Sequence, residues 1–165
     1  MPSAAIAWTT LYLSHPFRLE RNEARPVVWG AALRVEPGSW SAENPTRIFT
    51  PEGFSWIELR AGICFQPDPT GLRQIFARRN GYDDRPRGYP PGYLSQTHPG
   101  GGATESSVSF SAESAIMPVA AGDYFELLVY HTADSALWVG GEPKDEDESH
   151  LMTAFGCAYF QANFY

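Results

Sequence analysis

Groups able to do acid–base or nucleophilic chemistry are sparse in this sequence, and none is spaced as such chemistry requires. The four histidines, His15, His98, His131 and His150, fall at loops and strand ends far apart in the chain. A serine nucleophile needs a Gly-x-Ser-x-Gly elbow, a zinc hydrolase a His-Glu-x-x-His pair, and a phosphate site a glycine loop feeding a helix. None of these occurs, and Gly100-Gly101-Gly102 reads as a flexible turn. Cys64 and Cys157 sit in apolar runs without Cys-x-x-Cys or Cys/His ligand spacing, so buried free thiols are expected, not a zinc site or a disulfide framework. The sequence therefore points away from an enzyme, with no catalytic residue, no metal and no cofactor expected.

Charge gives a second set of candidates. Glu142, Asp145, Glu146, Asp147 and Glu148 form an acidic loop whose oxygens suit a hard cation such as calcium. The run lacks the regular spacing of a calcium loop, and a solvated charge run is the plainer reading. Arg73, Arg78, Arg79, Arg85 and Arg87 form a basic cluster that an acidic loop of another subunit could meet, setting register more than adding affinity. The formal net charge of −7 argues against nucleic acid as a partner, because phosphate binding needs a basic surface first. No stretch approaches the roughly 18 to 20 apolar residues of a membrane span, so no membrane insertion is expected.

Aromatic side chains are the third group. Trp40, Tyr89, Tyr93 and Trp138 lie at or near predicted loops, where flat rings could stack on sugar rings of a surface glycan or on another cell-surface ligand. Tyr89, Tyr93 and Trp138 are the candidate ligand-binding residues of that lectin-like reading.

The elements that must position these residues are short strands. Ten Phe, eight Tyr and five Trp with 15 Gly and 14 Pro describe strands joined by sharp turns, and no window sustains a 3.6-residue repeat. After the turn Gly122-Asp123, Phe125, Leu127 and Val129 fall on one face and Tyr124, Glu126, Leu128 and Tyr130 on the other. The stretch from Phe54 to Phe65 alternates likewise, with Ile57, Leu59, Ala61 and Ile63 on one side and a bulge or bend expected at Gly62. Pro67 to Gly71 turns the chain, and Leu72 to Arg79 returns as a hairpin-like partner ending at Asn80-Gly81. Residues 82–106 read as a long loop region. Residues 1–26 read as an extended N-terminal arm, which either pairs at the edge of its own sheet or docks on another chain, ahead of a domain over 27–165. Met1 to Leu13 lacks the positive start of a secretory signal.

Several local signals occur together in one order: Thr50-Pro51-Glu52-Gly53-Phe54 opening a long aromatic strand, Gly71-x-Arg73 leading to Asn80-Gly81, Ala121-Gly122-Asp123 before an apolar strand, and Phe155-Gly156-Cys157-Ala158-Tyr159-Phe160 near the end. In this the chain resembles the jelly-roll domains of the tumour necrosis factor superfamily and the complement first-component (C1q-like) globular heads, in particular their stand-alone bacterial and phage relatives. The resemblance covers roughly residues 27–160. It implies an all-β, two-sheet antiparallel jelly-roll sandwich of about ten strands that assembles as a homotrimer, with the last strand and its neighbours facing the threefold axis and the strands of Cys64 and Cys157 adjacent. Phe155, Tyr159, Phe160 and Tyr165 are the candidate trimer-interface residues, core packing alone being the alternative for them. The function expected from this reading is a non-enzymatic structural or attachment module of a bacteriophage tail, fibre or capsid surface, located on the virion. It would be fastened to other virion proteins through the arm and could contact a host surface glycan or receptor; the alternative is the lectin-like binding domain.

Overall fold

Alternating side chains dictate strands here, and strands are what the chain forms. The computed structural model describes residues 6–81, 94–100, 108–141 and 153–161. Among these there are thirteen strands and no helix: β1 (Ile6–Tyr12), β2 (Phe17–Leu19), β3 (Arg25–Pro26), β4 (Ala31–Arg34), β5 (Arg47–Phe49), β6 (Trp56–Phe65), β7 (Leu72–Arg79), β8 (Ser95–Pro99), β9 (Val108–Glu113), β10 (Met117–Pro118), β11 (Tyr124–His131), β12 (Leu137–Val139) and β13 (Ala154–Phe160). They form two antiparallel sheets. The larger runs β2-β12-β6-β13-β1-β4, with β9 and β10 also on β6; the smaller runs β3-β11-β7-β8, with β5 also on β11. The all-β two-sheet jelly roll expected from the sequence is the fold observed.

The inner faces make one core. From the large sheet β1 sends in Ala7 and Leu11, β6 sends in Ile57, Leu59, Ala61, Ile63 and Phe65, and β13 sends in Phe155, Cys157 and Tyr159. From the small sheet come Ile75, Ala77, Phe125, Leu127 and Val129. Both long alternations read from the sequence hold. Burying a large apolar side chain contributes roughly 1.5–3 kcal/mol, so the dozen or so rings and branched chains in this layer dominate the stability.

Three expectations are corrected. The N-terminal strands pair within the chain, as one of the two expectations has it, but not as an edge arm: β1 lies inside the large sheet between β13 and β4, pairing Ile6 with Phe160 through Tyr12 with Ala154, and its Leu11 is wholly buried. The domain therefore begins by residue 6, because a strand with paired backbone on both edges cannot be detached without exposing its neighbours' hydrogen-bonding groups. β6 and β7 are not a hairpin either. The connection at 66–71 carries the chain from one sheet to the other, so β6 pairs with β13 and β9 while β7 pairs with β11 and β8. Finally, Gly62 carries no bulge; the pairing of β6 with β9 runs in unbroken register past it, with Ser111 opposite Gly62.

Candidate functional site

The charged residues singled out in the sequence are engaged within the chain. Glu126, on β11 and almost wholly buried, accepts from Arg78 Nε at 2.7 Å, Thr46 Oγ1 at 2.7 Å and Arg47 Nε at 3.4 Å. Burial acts to raise the Glu126 pKa, but the hydrogen bonds from Thr46 and Arg78 and the charge of Arg78 outweigh it and hold the carboxyl below its ordinary value. Asp123 closes the turn before β11: it accepts from Ala120 N at 2.7 Å and Asn80 Nδ2 at 2.8 Å and pairs with Arg79. Arg73 is fully buried and donates to Asp68 O at 2.8 Å. So Arg73, Arg78 and Arg79 brace their own sheet, which corrects their reading as a patch awaiting another subunit's acidic loop. Arg85, Arg87 and the acidic run at 142–148 lie outside the described residues.

The candidate nucleophiles and ligands do not converge. Cys157 faces the core opposite Leu59, and burial pushes its thiol up to about 12, so it is no nucleophile near neutral pH. Cys64 pairs with Ser109 and points to the other face of the same sheet; the strands carrying the two thiols are neighbours, but the thiols are separated by the sheet. His98 stacks on Phe110, with ring centroids 5.5 Å apart, His15 bonds Ser14 at 3.0 Å, and His131 is buried. His150 lies outside the described residues. Among the described residues no group of three or more His, Cys, Asp and Glu side chains is placed to hold a metal ion.

The aromatic candidates divide. Tyr89, Tyr93 and Tyr165 lie outside the described residues. Trp138 on β12 is half-buried, with the Arg18 guanidinium 5.7 Å from its ring centre. Trp40 packs on the core with its ring N–H 3.4 Å from Pro45 O. Phe155 stacks on buried Trp29 at 5.9 Å, and Tyr159 tilts against Phe54 at 5.3 Å while donating its hydroxyl to Phe49 O at 2.6 Å. Both have no exposed surface, which corrects their reading as interface residues: β13 turns its odd-numbered side chains inward, so they are core. Phe160, at 9 % exposure, stands on the opposite, outer face beside Trp56 and Ile6.

That outer face of the large sheet is the site sequence reasoning missed. Its floor is small, with Gly62 opposite Ala154 and Gly156 opposite Arg60 and Thr10, and a cleft of about 330 Å³ opens over it. Trp8, Thr10, Arg60, Ser111 and Glu113 wall the cleft, and the Arg60 guanidinium sits 5.9 Å from the Trp8 ring centre. Gly156 is required by close approach, because a Cβ there would stand 2.8 Å from Thr9 O. The signal that could have found this face is the even-numbered register of β13, Ala154, Gly156 and Ala158, read against Trp8, Thr10 and Tyr12 of β1. The arrangement offers a partly apolar cleft with a small-residue floor.

The sheet order and the two-layer core decide the comparison with known proteins. The fold is that of the tumour necrosis factor jelly rolls. Two crystal structures of murine APRIL match with TM-scores of 0.59 and 0.57 at 14 % and 13 % identity, each over 94 % of this chain and 99 % of that one. Eiger TNF from S. frugiperda matches with a TM-score of 0.50 at 15 % identity, over 96 % of this chain and 93 % of that one. No family model matches the chain, and no curated protein sequence matches it. The resemblance read from four short motifs is thus shown at the level of fold across nearly the whole TNF-like domain.

Proposed function

We propose that this chain is a non-enzymatic TNF-like structural or attachment module that works as a homotrimer, and that its trimer contact is the outer face of the large sheet around Gly62, Ala154 and Gly156. The observation that carries this is the small-residue floor walled by Trp8 and Arg60, since close approach of a second surface needs a floor without long side chains and an aromatic anchor at its edge. The finer reading is a bacteriophage virion-surface protein, supported by the resemblance to stand-alone phage members. Because β1, β2 and β3 are paired within the two sheets, attachment to other virion proteins is assigned to loops and exposed faces. Light scattering after size exclusion is expected to give three times the chain mass, and Ala154→Arg is expected to give a folded monomer. A monomeric parent protein, or an A154R variant that stays trimeric, rejects the interface. Mass spectrometry of purified phage particles tests the virion reading.

A second reading, a lectin-like domain, is favoured by Trp138, whose half-buried ring under Arg18 offers a stacking platform beside a cation. Trp138→Ala is then expected to abolish signal on a glycan array while leaving the thermal transition in place.

A further inference from the structure

His131 closes β11 at the point where three connections meet, and its ring has no freedom in tautomer. Nε2 lies 2.9 Å from the carbonyl oxygen of Leu19, which can only accept, so Nε2 carries the proton. Nδ1 takes the backbone N–H of Ala133 at 3.2 Å, so Nδ1 must be bare. The ring is fully buried and neutral in this arrangement.

The residues that follow that ring tie together several connections at one end of the sandwich. Asn22 N donates to His131 O at 2.9 Å, tying the loop after β2. Thr132 N donates to Leu72 O at 3.0 Å and Leu72 N to Thr132 Oγ1 at 2.9 Å, tying the start of β7. Asp134 N donates to Thr70 Oγ1 at 2.9 Å, tying the loop before β7. Gly71, at φ 65°, sits so close beneath the turn that a Cβ there would be 2.4 Å from the Thr132 carbonyl carbon. His131 and the turn that follows it are the shared contact of these segments.

We infer that His131 is an acid-released latch: protonation at Nδ1 sets an N–H against the N–H of Ala133, breaks that bond, and frees the 132–135 turn together with the loop ends at 20–23 and 68–71. The charges around the ring set the threshold. Arg73, its register partner on β7, opposes a second buried cation, and His98 stands one strand further on β8 in the same row. Asp68, 3.9 Å from Arg73, and Glu20 favour the cation, as does Glu23 in the loop after β2; Arg21 and Asp134 pair with each other at 3.5 Å across the same end. Burial first and then Arg73 prevail over the Leu19 carbonyl, Asp68 and Glu20, so the imidazole titrates below the ordinary 6.5. A base whose folded pKa is depressed binds its proton more readily when the fold opens, so the latch is closed above about pH 6.5 and is lost as pH falls through the folded value.

The test uses the full chain and does not depend on its oligomeric state. Long-range proton–nitrogen NMR is expected to show His131 as the Nε2–H tautomer at pH 7.5 and titrating below 6.5. Hydrogen exchange, corrected for intrinsic rates, is expected to show protection of the Ala133 and Asp134 amides falling by up to tenfold per pH unit from about pH 6.5 down to that titration and levelling off below it, while the β6 and β13 amides hold. Asn at position 131 keeps an acceptor near the Nδ1 position without titrating, so His131→Asn is expected to flatten that dependence. An Nδ1–H tautomer, a ring that stays neutral down to global acid unfolding, or protection at 132–135 that does not change with pH overturns the latch. The first two measurements are made on the unaltered chain, so they decide the matter even where His131→Asn does not fold.

Discussion

Glu126 shows how a single carboxylate sets the acid limit of this fold. It is nearly out of solvent and is held by Arg78, Arg47 and Thr46, so its removal strands two guanidinium groups at the joint of β5, β7 and β11. Glu126→Ala is expected to destabilise the chain by about 2 kcal/mol, the cost of a lost charged hydrogen-bond set whose arginines keep partial access to water, measured as a shift in urea midpoint at pH 7. The sign with pH follows from the lowered pKa. A carboxyl whose folded value lies below the ordinary 4.5 contributes stability that is present above that value and lost as pH falls through the folded one. Asp68 and Asp123, also held below their ordinary values, lose theirs in the same acid range. The urea midpoint of Glu126→Gln should therefore fall less steeply below pH 4.5 than that of the parent. The loss assigned to His131 sets in below about pH 6.5 and that of Glu126 only below 4.5, so the two onsets separate in one pH series.

At the scale of elements, β1 and β13 decide what the N-terminal residues are for. Deleting residues 1–26 removes β1, β2 and β3, uncovering one edge of β13 and the apolar surface that Leu11, Leu13 and Leu19 cover. The truncated chain is expected to show no cooperative thermal transition by circular dichroism, whereas a free arm would leave the transition unchanged. Gly156→Ala is a milder probe of the same pair. The added methyl meets Thr9 O at 2.8 Å, so β1 must shift, and a loss of about 1–3 kcal/mol is expected from the thermal or urea transition. These two strands also mark where sequence reasoning stops. β6 and β11 were legible because one face is apolar at every second residue, which periodicity reports directly. Strand partners were not, because alternation says which face is buried and nothing about the neighbour, so β6 and β7 read as a hairpin although they lie in different sheets. The same limit hid the arginine partners: Glu126 is 48 residues from Arg78, and only the register of β11 with β7 brings them opposite each other. Phe155 and Tyr159 read as interface aromatics because composition cannot tell an inward ring from an outward one. The outer-face site escaped because the small residues Ala154, Gly156 and Ala158 gain meaning only opposite Tyr12, Thr10 and Trp8, and that pairing is not written in either strand alone.

At the scale of the whole molecule, the proposed trimer makes a demand that a monomer does not. If three chains unfold together, mass action ties stability to concentration, and each tenfold dilution lowers the apparent stability by on the order of 1 kcal/mol per chain. For a domain of this size that is a fall of a few degrees in Tm. The parent protein is expected to show this slope, and Ala154→Arg, which puts a charged chain on the floor opposite Gly62, is expected to show none. A parent whose Tm is independent of concentration over two decades would mean that the cleft beside Trp8 and Arg60 is not covered by another copy. The comparison also separates the interface from the core. Substitution of Phe155, which stacks on Trp29 inside one chain, should lower Tm at every concentration and leave the slope in place. Only a residue on the outer face should remove the slope while sparing the Tm of the isolated chain, so the pair of variants locates the threefold contact on one side of β13 or rejects it.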